Sequence, residues 1–131
     1  MGPEAKLYKK LKAKSSGIIW TRIENLSLLG TPDVLGYNSS GHFFTVELKV
    51  TKKNKLKFSP HQIAFHVAHP HNTFIIAEAL GPRLVKLFPG SRIRELAACG
   101  FKLEAWSLWP VSIGPGPCFV ELVYDSSVSG M

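Results

Sequence analysis

Two carboxylates and a lysine stand where a β-hairpin would gather them: Asp33 at the head of one apolar run, Glu47 and Lys49 two apart in the next. Residues 32–37 and 42–50 flank Asn38-Ser39-Ser40-Gly41, a cluster of turn formers. A hairpin symmetric about Ser40 sets Asn38 against His42 and Asp33 directly against Glu47. Opposed Cβ atoms on a sheet lie about 4.5–5.5 Å apart, where like charges repel. A divalent cation between them removes that repulsion. Hard cations such as Mg2+ bind through one or two carboxylates, keep several waters and admit a substrate phosphate. Strand alternation puts Lys49 on the face of Glu47, next to that cation, where it could orient an attacking water and offset charge developing on phosphorus. The chemistry these parts describe is phosphodiester hydrolysis. The same spacing also fits a solvated cross-strand charge group.

The elements that must hold these residues follow from local pattern. Pro3 to Lys14 reads as a short helix with Leu7, Tyr8 and Leu11 on its apolar side and five lysines elsewhere, either solvated or in contact with a polyanion. Ile18 to Ile23 reads as a strand that places Glu24 near its end. In the 42–50 strand, Phe44, Val46, Leu48 and Val50 should face the core, leaving the face with Phe43, Thr45, Glu47 and Lys49 open. Ser59-Pro60 is a helix start, with Ser at the N-cap and Pro at N1. Ile63, Ala64, Val67 and Ala68 should supply that helix's apolar face before Pro70. Residues 73–77 and 84–88 look like two further strands, and Ser91 should cap a helix from Arg92 to Cys99 that stops at Gly100. Beyond Phe101, the aromatic run around Trp106 and Trp109 leads to a final strand, 118–124, and a polar tail.

Charge says where a polyanion would bind. The 131 residues carry sixteen Lys and Arg, nine Asp and Glu, and a formal charge of +7, the footprint of a polyanion binder. Residues 5–77 hold eleven of the basic residues but only Glu24, Asp33 and Glu47 among the acidic ones, a local charge of +8. Carboxylates isolated in a basic field repel the phosphates their neighbours attract, unless a cation is shared with the phosphate. Lys52, Lys53, Lys55 and Lys57 lie between the catalytic strand and Gln62, placed to track phosphates. Cys99 and Cys118 form neither a C-x-x-C pair nor a zinc set. No run approaches the ~18 apolar residues of a spanning helix, and no apolar leader opens the chain, so a cytoplasmic protein is expected. One domain of 1–131 is expected, with a core of about 16–102 and a C-terminal extension of about 103–131.

At these residues the sequence resembles the PD-(D/E)XK nuclease superfamily: Pro32-Asp33, a hairpin, then Glu47-Leu48-Lys49. The surrounding Gly30-Thr31-Pro32-Asp33-Val34, Val46-Glu47-Leu48-Lys49-Val50 and Phe58-Ser59-Pro60-His61-Gln62 look like its VRR-NUC branch and small stand-alone phage relatives, over about Trp20 to Phe88. The resemblance implies an α/β restriction-endonuclease-like core, a mixed central sheet flanked by helices in the order α-β-β-β-α-β, with the C-terminal aromatic segment added. It implies that Asp33 and Glu47 bind Mg2+, with Mn2+ as a substitute, that Lys49 is catalytic and that Gln62 supports the site. Arg22-Ile23-Glu24-Asn25 resembles a segment ahead of the motif in such relatives, which makes Glu24 a candidate extra acidic ligand or water-positioning group. His61, His66, Glu78 and the Asn38 sequon are expected to have no catalytic role.

The implied activity is metal-dependent DNA endonuclease action, selective for four-way or branched DNA as in dimeric stand-alone relatives, and located in the host cytoplasm if phage-encoded. A sequence-specific homing or restriction-type endonuclease would use the same residues. A basic nucleic-acid-binding module without catalysis is the reading outside the enzyme class. A homodimer could join through Leu103, Trp106, Leu108 and Trp109, or those residues could pack into the monomer core.

Overall fold

Leu7 and Leu11, one helical turn apart, are fully buried together with Tyr8 on the inner side of α1 (Pro3–Ala13), while Lys6, Lys9 and Lys12 stay in water. This helix begins the chain in a computed structural model that describes residues 2–15, 17–23, 30–105 and 107–108. The rest is strands β1 (Ile19–Arg22), β2 (Val34–Tyr37) and β3 (Phe43–Thr51), helix α2 (Pro60–Ala68), strands β4 (Thr73–Ala79) and β5 (Leu84–Pro89), helix α3 (Ile93–Cys99) between two 3-10 turns, and a two-residue edge strand β6 (Ser107–Leu108). They follow the expected order closely. The final strand expected at 118–124 lies outside the described residues, as do Trp106 and Trp109.

The strands lie in one mixed sheet in sequence order, β1 to β6. Every neighbouring pair is antiparallel except β3 and β4, which run parallel and are joined through α2. A parallel pair needs such a crossover, and it sets the α2 N-terminus close to β3. β4 is buried on both faces along its whole length, the pattern of a central strand with helices on either side.

Two cores result. On one face, α1 covers Phe44, Val46 and Leu48 of β3, Phe74 and Ile76 of β4, and Val85 and Leu87 of β5. On the other, α3 and the segment before α2 cover Ile75, Ala77, Ala79 and Phe88 through Ile93, Leu96, Leu56 and Phe101. Each fully buried large apolar side chain contributes about 1.5–3 kcal/mol by its removal from water. Lys10 ties the α1 layer to the sheet by an ion pair of 2.6 Å with Glu78, which is itself buried. Glu78, expected to be a chance or structural feature without a catalytic role, is thus part of the packing.

Three local expectations are corrected. The β3 face with Glu47 and Lys49 is not uniformly open: Phe43 is 59% exposed and Thr45 and Lys49 are half-buried, but Glu47 is only 2% exposed. The start of α2 meets this face at Glu47, where Gln62 reaches the carboxylate, so strict alternation along β3 does not mark every position of a face as open. On α2, Ala64, Val67 and Ala68 face outward, with Val67 44% exposed, and the buried residue is His66. His66 fits because Gly90, which lacks a Cβ, leaves room for its ring; a Cβ there would collide with Thr73 and His66. Finally, Ser91 is not a cap but sits within the 3-10 turn Gly90–Arg92, and α3 starts at Ile93 without a side-chain cap. No described helix is long and apolar enough to cross a membrane.

Candidate active site

The β2–β3 register is the one symmetric about Ser40: Tyr37 pairs with Phe43, Gly36 with Phe44, Leu35 with Thr45 and Val34 with Val46. The Asn38 side chain closes the turn by accepting from the Ser40 and His42 amides, both at 3.0 Å. One residue beyond the ladder comes Asp33. There the backbone has left the strand, and the Asp33 carboxylate takes the Leu48 amide at 2.8 Å in place of a β2 carbonyl. Asp33 is held from the other side too, since its carbonyl accepts from Ile23 at 2.9 Å. Upstream, Gly30 has a left-handed backbone (φ 82°), and a Cβ there would collide with the His61 carbonyl. That close approach seats the Asp33 segment against the first turn of α2 and explains the glycine.

Glu47 lies against Asp33, buried. Its Oε2 accepts from Gln62 Nε2 at 3.2 Å, but its Oε1 meets no N–H or O–H donor. Burial pushes the Glu47 carboxyl up to about 9, reinforced by the charge and side-chain contact of Asp33 and opposed by Lys49. With nothing else bound, Glu47 therefore holds a proton at neutral pH. Two carboxyl groups in contact can share that proton or share a cation. The donorless Oε1 is the kind of buried atom a cation would satisfy, so the pair fits a hard divalent ion. Among the described residues no third His, Cys, Asp or Glu joins them in a metal-binding group. Two carboxylates plus water and phosphate is a sufficient set for Mg2+.

Gln62 connects the remaining parts. Its Oε1 accepts from Lys49 Nζ at 3.2 Å and from the Ser59 amide at 2.9 Å, while Nε2 donates to Glu47. Only this amide orientation gives both donors an acceptor and the carboxylate a donor. The Ser59 hydroxyl accepts in turn from the Gln62 amide at 3.1 Å, completing a capping box at the start of α2. Helix start and site support are therefore one structure. Beneath the lysine, Nζ lies 5.0 Å from the Phe58 ring centroid, a cation–π contact.

From β3 to α2 the chain presents lysines by alternation. Lys53, Lys55 and Lys57 are exposed, whereas Leu56 is buried and Phe58 half-buried in the α3-side core. Asn54 anchors the segment: its side chain donates to the Cys99 carbonyl at 3.0 Å and accepts from the Lys102 amide at 2.7 Å. Gly100 (φ 79°) makes room, since a Cβ there would collide with Asn54. Lys52, also exposed, begins the series.

The structure thus gathers Asp33, Glu47, Lys49 and Gln62 and aligns Lys52, Lys53, Lys55 and Lys57 beside them. Glu24 lies outside the described residues. His61 is exposed, and its backbone carbonyl lies against Gly30. His66 is a packing residue: its Nδ1 donates to the Gln62 carbonyl at 2.9 Å, and burial lowers its pKa, keeping it neutral. Sequence reasoning missed Phe58 and the Gln62–Ser59 amide contact. The second was available, because Ser59-x-x-Gln62 has capping-box spacing; the first depends on how β3 and the following segment fold together.

No protein-family model matches the chain, and comparison with curated proteins finds no significant match.

Proposed function

We propose that the chain is a metal-dependent DNA endonuclease with the restriction-endonuclease-like core and catalytic set of the PD-(D/E)XK superfamily, VRR-NUC branch. The observation that carries this reading is the contact between the Asp33 and Glu47 carboxyl groups with Glu47 Oε1 left without a donor, next to a lysine held by Gln62. Asp33 and Glu47 would hold Mg2+ or Mn2+, which supplies Lewis-acid polarisation of the phosphoryl group and a more acidic water. Gln62 orients Glu47 and Lys49 together. Lys49 offsets negative charge on the phosphoryl oxygens and aligns water. The concentration of +8 in residues 5–77, the part of the chain that supplies this site, favours DNA as the polyanion.

Cleavage of a labelled four-way junction and a matched linear duplex tests the reading, with Mg2+, Mn2+ or EDTA, for wild type, Asp33→Asn and Lys49→Ala. The expected result is cutting that needs metal and is lost in both variants, with Lys49→Ala retaining DNA affinity. Preference for the junction selects the structure-selective activity; a defined cut in duplex selects a restriction- or homing-type enzyme. Full cleavage by Lys49→Ala would sink the assignment, and metal-independent binding without cutting would leave a binding module. A homodimer is part of the same proposal. Of the four residues expected to join the copies, Leu103 packs on the monomer core, Leu108 contributes backbone to β6, and the two tryptophans lie outside the described residues.

A further inference from the structure

On the face of the sheet away from Glu47, the chain leaves a hollow of about 540 Å³ lined by Pro3, Lys6, Lys10, Glu78, Leu80 and Arg83. Three cations and one carboxylate face it. Glu78 is committed to Lys10 at 2.6 Å, and among the described residues no carboxylate pairs with Lys6 or Arg83. A recess with low-dielectric walls and uncompensated positive charge concentrates anions.

Its position connects it to the candidate active site. Leu80 on its rim donates to the Thr51 carbonyl, the last residue of β3, at 2.9 Å. Gly81 in the same turn packs against Lys52, a Cβ there lying 3.7 Å from the Lys52 carbonyl. Arg83 ends that turn with a left-handed backbone (φ 56°). The exposed lysines 52, 53, 55 and 57 then run from this corner toward Lys49 and Gln62. Positive charge therefore continues around the C-terminal end of β3 and β4, from the α1 face of the sheet to the α2 face.

We infer that the Lys6–Arg83 hollow is a backbone-phosphate subsite for nucleic acid, holding the strand where it passes from the candidate active site around the end of β3 and β4. The inference rests on the nucleic-acid reading above and extends it to a surface on the opposite side of the sheet. Phosphate neutralisation by lysine and arginine releases counterions, so each neutralised phosphate adds about 0.9 to the log–log salt slope on duplex DNA.

The test is duplex binding in EDTA, followed by fluorescence anisotropy across a salt series, for wild type, Lys6→Gln, Arg83→Gln, their double and the control Arg94→Gln, which removes an exposed charge from α3. The double variant is expected to bind on the order of tenfold more weakly and to flatten the salt slope by about 1 to 2, with the control slope unchanged. An unchanged slope in the double variant overturns the subsite, as does an equal loss in the control, which would reflect bulk charge alone. Binding of thymidine monophosphate that the double variant loses, with DNA binding intact, also overturns it in favour of a small-ligand pocket. Cleavage with Mg2+ in parallel separates the two claims: cutting by wild type with no slope change defeats the subsite alone, whereas the slope change without cutting defeats the nuclease and leaves the subsite standing.

Discussion

At the scale of single residues, the site stands on one buried carboxyl group whose charge state is under strain. Glu47 is raised from the ordinary 4.5 to about 9 in the folded protein. Its contribution to stability is then full below about 4.5 and is lost as pH rises toward 9. His66 has the opposite sign: held neutral by burial, it makes the fold lose stability as pH falls below 6.5. Between about pH 7 and 9, therefore, metal-free protein should melt at progressively lower temperature, and Glu47→Gln should remove most of that slope. Mg2+ held as proposed by Asp33 and Glu47 would displace the Glu47 proton, so its affinity should rise over the same interval. Thermal unfolding of both proteins with and without Mg2+ measures each effect. A wild-type midpoint with the same pH slope as Glu47→Gln would show that Glu47 does not carry the proton.

At the scale of elements, the start of α2 does two things with the same atoms. Ser59 caps the helix and Gln62 returns the bond, while the Gln62 amide also reaches Glu47 and Lys49. Loss of an N-cap hydroxyl costs about 1 kcal/mol, a fall of several degrees in the unfolding midpoint at this size. Ser59→Ala should show that fall and reduce cleavage as well, because Gln62 loses the turn that aims it. Ser59→Asp should restore both. Melting and cleavage rate measured together check this; a lower midpoint with wild-type cleavage would mean the box serves the helix alone.

At the scale of the whole molecule, helices on the two sides of the sheet bury its central strand β4 completely and leave positive charge displayed at the rim. The lysines of the 52–57 segment are displayed because Asn54 and Leu56 are pinned inward. Replacing Lys52, Lys53, Lys55 and Lys57 together by Gln should weaken DNA binding and flatten its salt dependence by about 0.9 for each phosphate no longer neutralised. The fold should be unaffected, since all four side chains are exposed. Binding isotherms over a salt series decide it, and a slope equal to wild type would remove this segment from the interface.

What the sequence determined by itself is whatever depends on near neighbours: the strands and helices in order, the Ser59-Pro60 helix start, and the hairpin register, since the Asn38–Gly41 turn sets the pairing that brings Asp33 to Glu47. Tertiary structure decided which faces are interior. Alternation along β3 separates two faces but cannot say that α2 meets one of them at Glu47 while Phe43 at its head stays exposed, nor that Ile63 of α2 turns to the core while Ala64, Val67 and Ala68 face outward where Gly90 admits His66. Burial is a property of what packs on a surface from distant parts of the chain. The same reason hid Phe58 under Lys49 and the meeting of Lys6 with Arg83, residues far apart in sequence that only the folded sheet brings to one hollow.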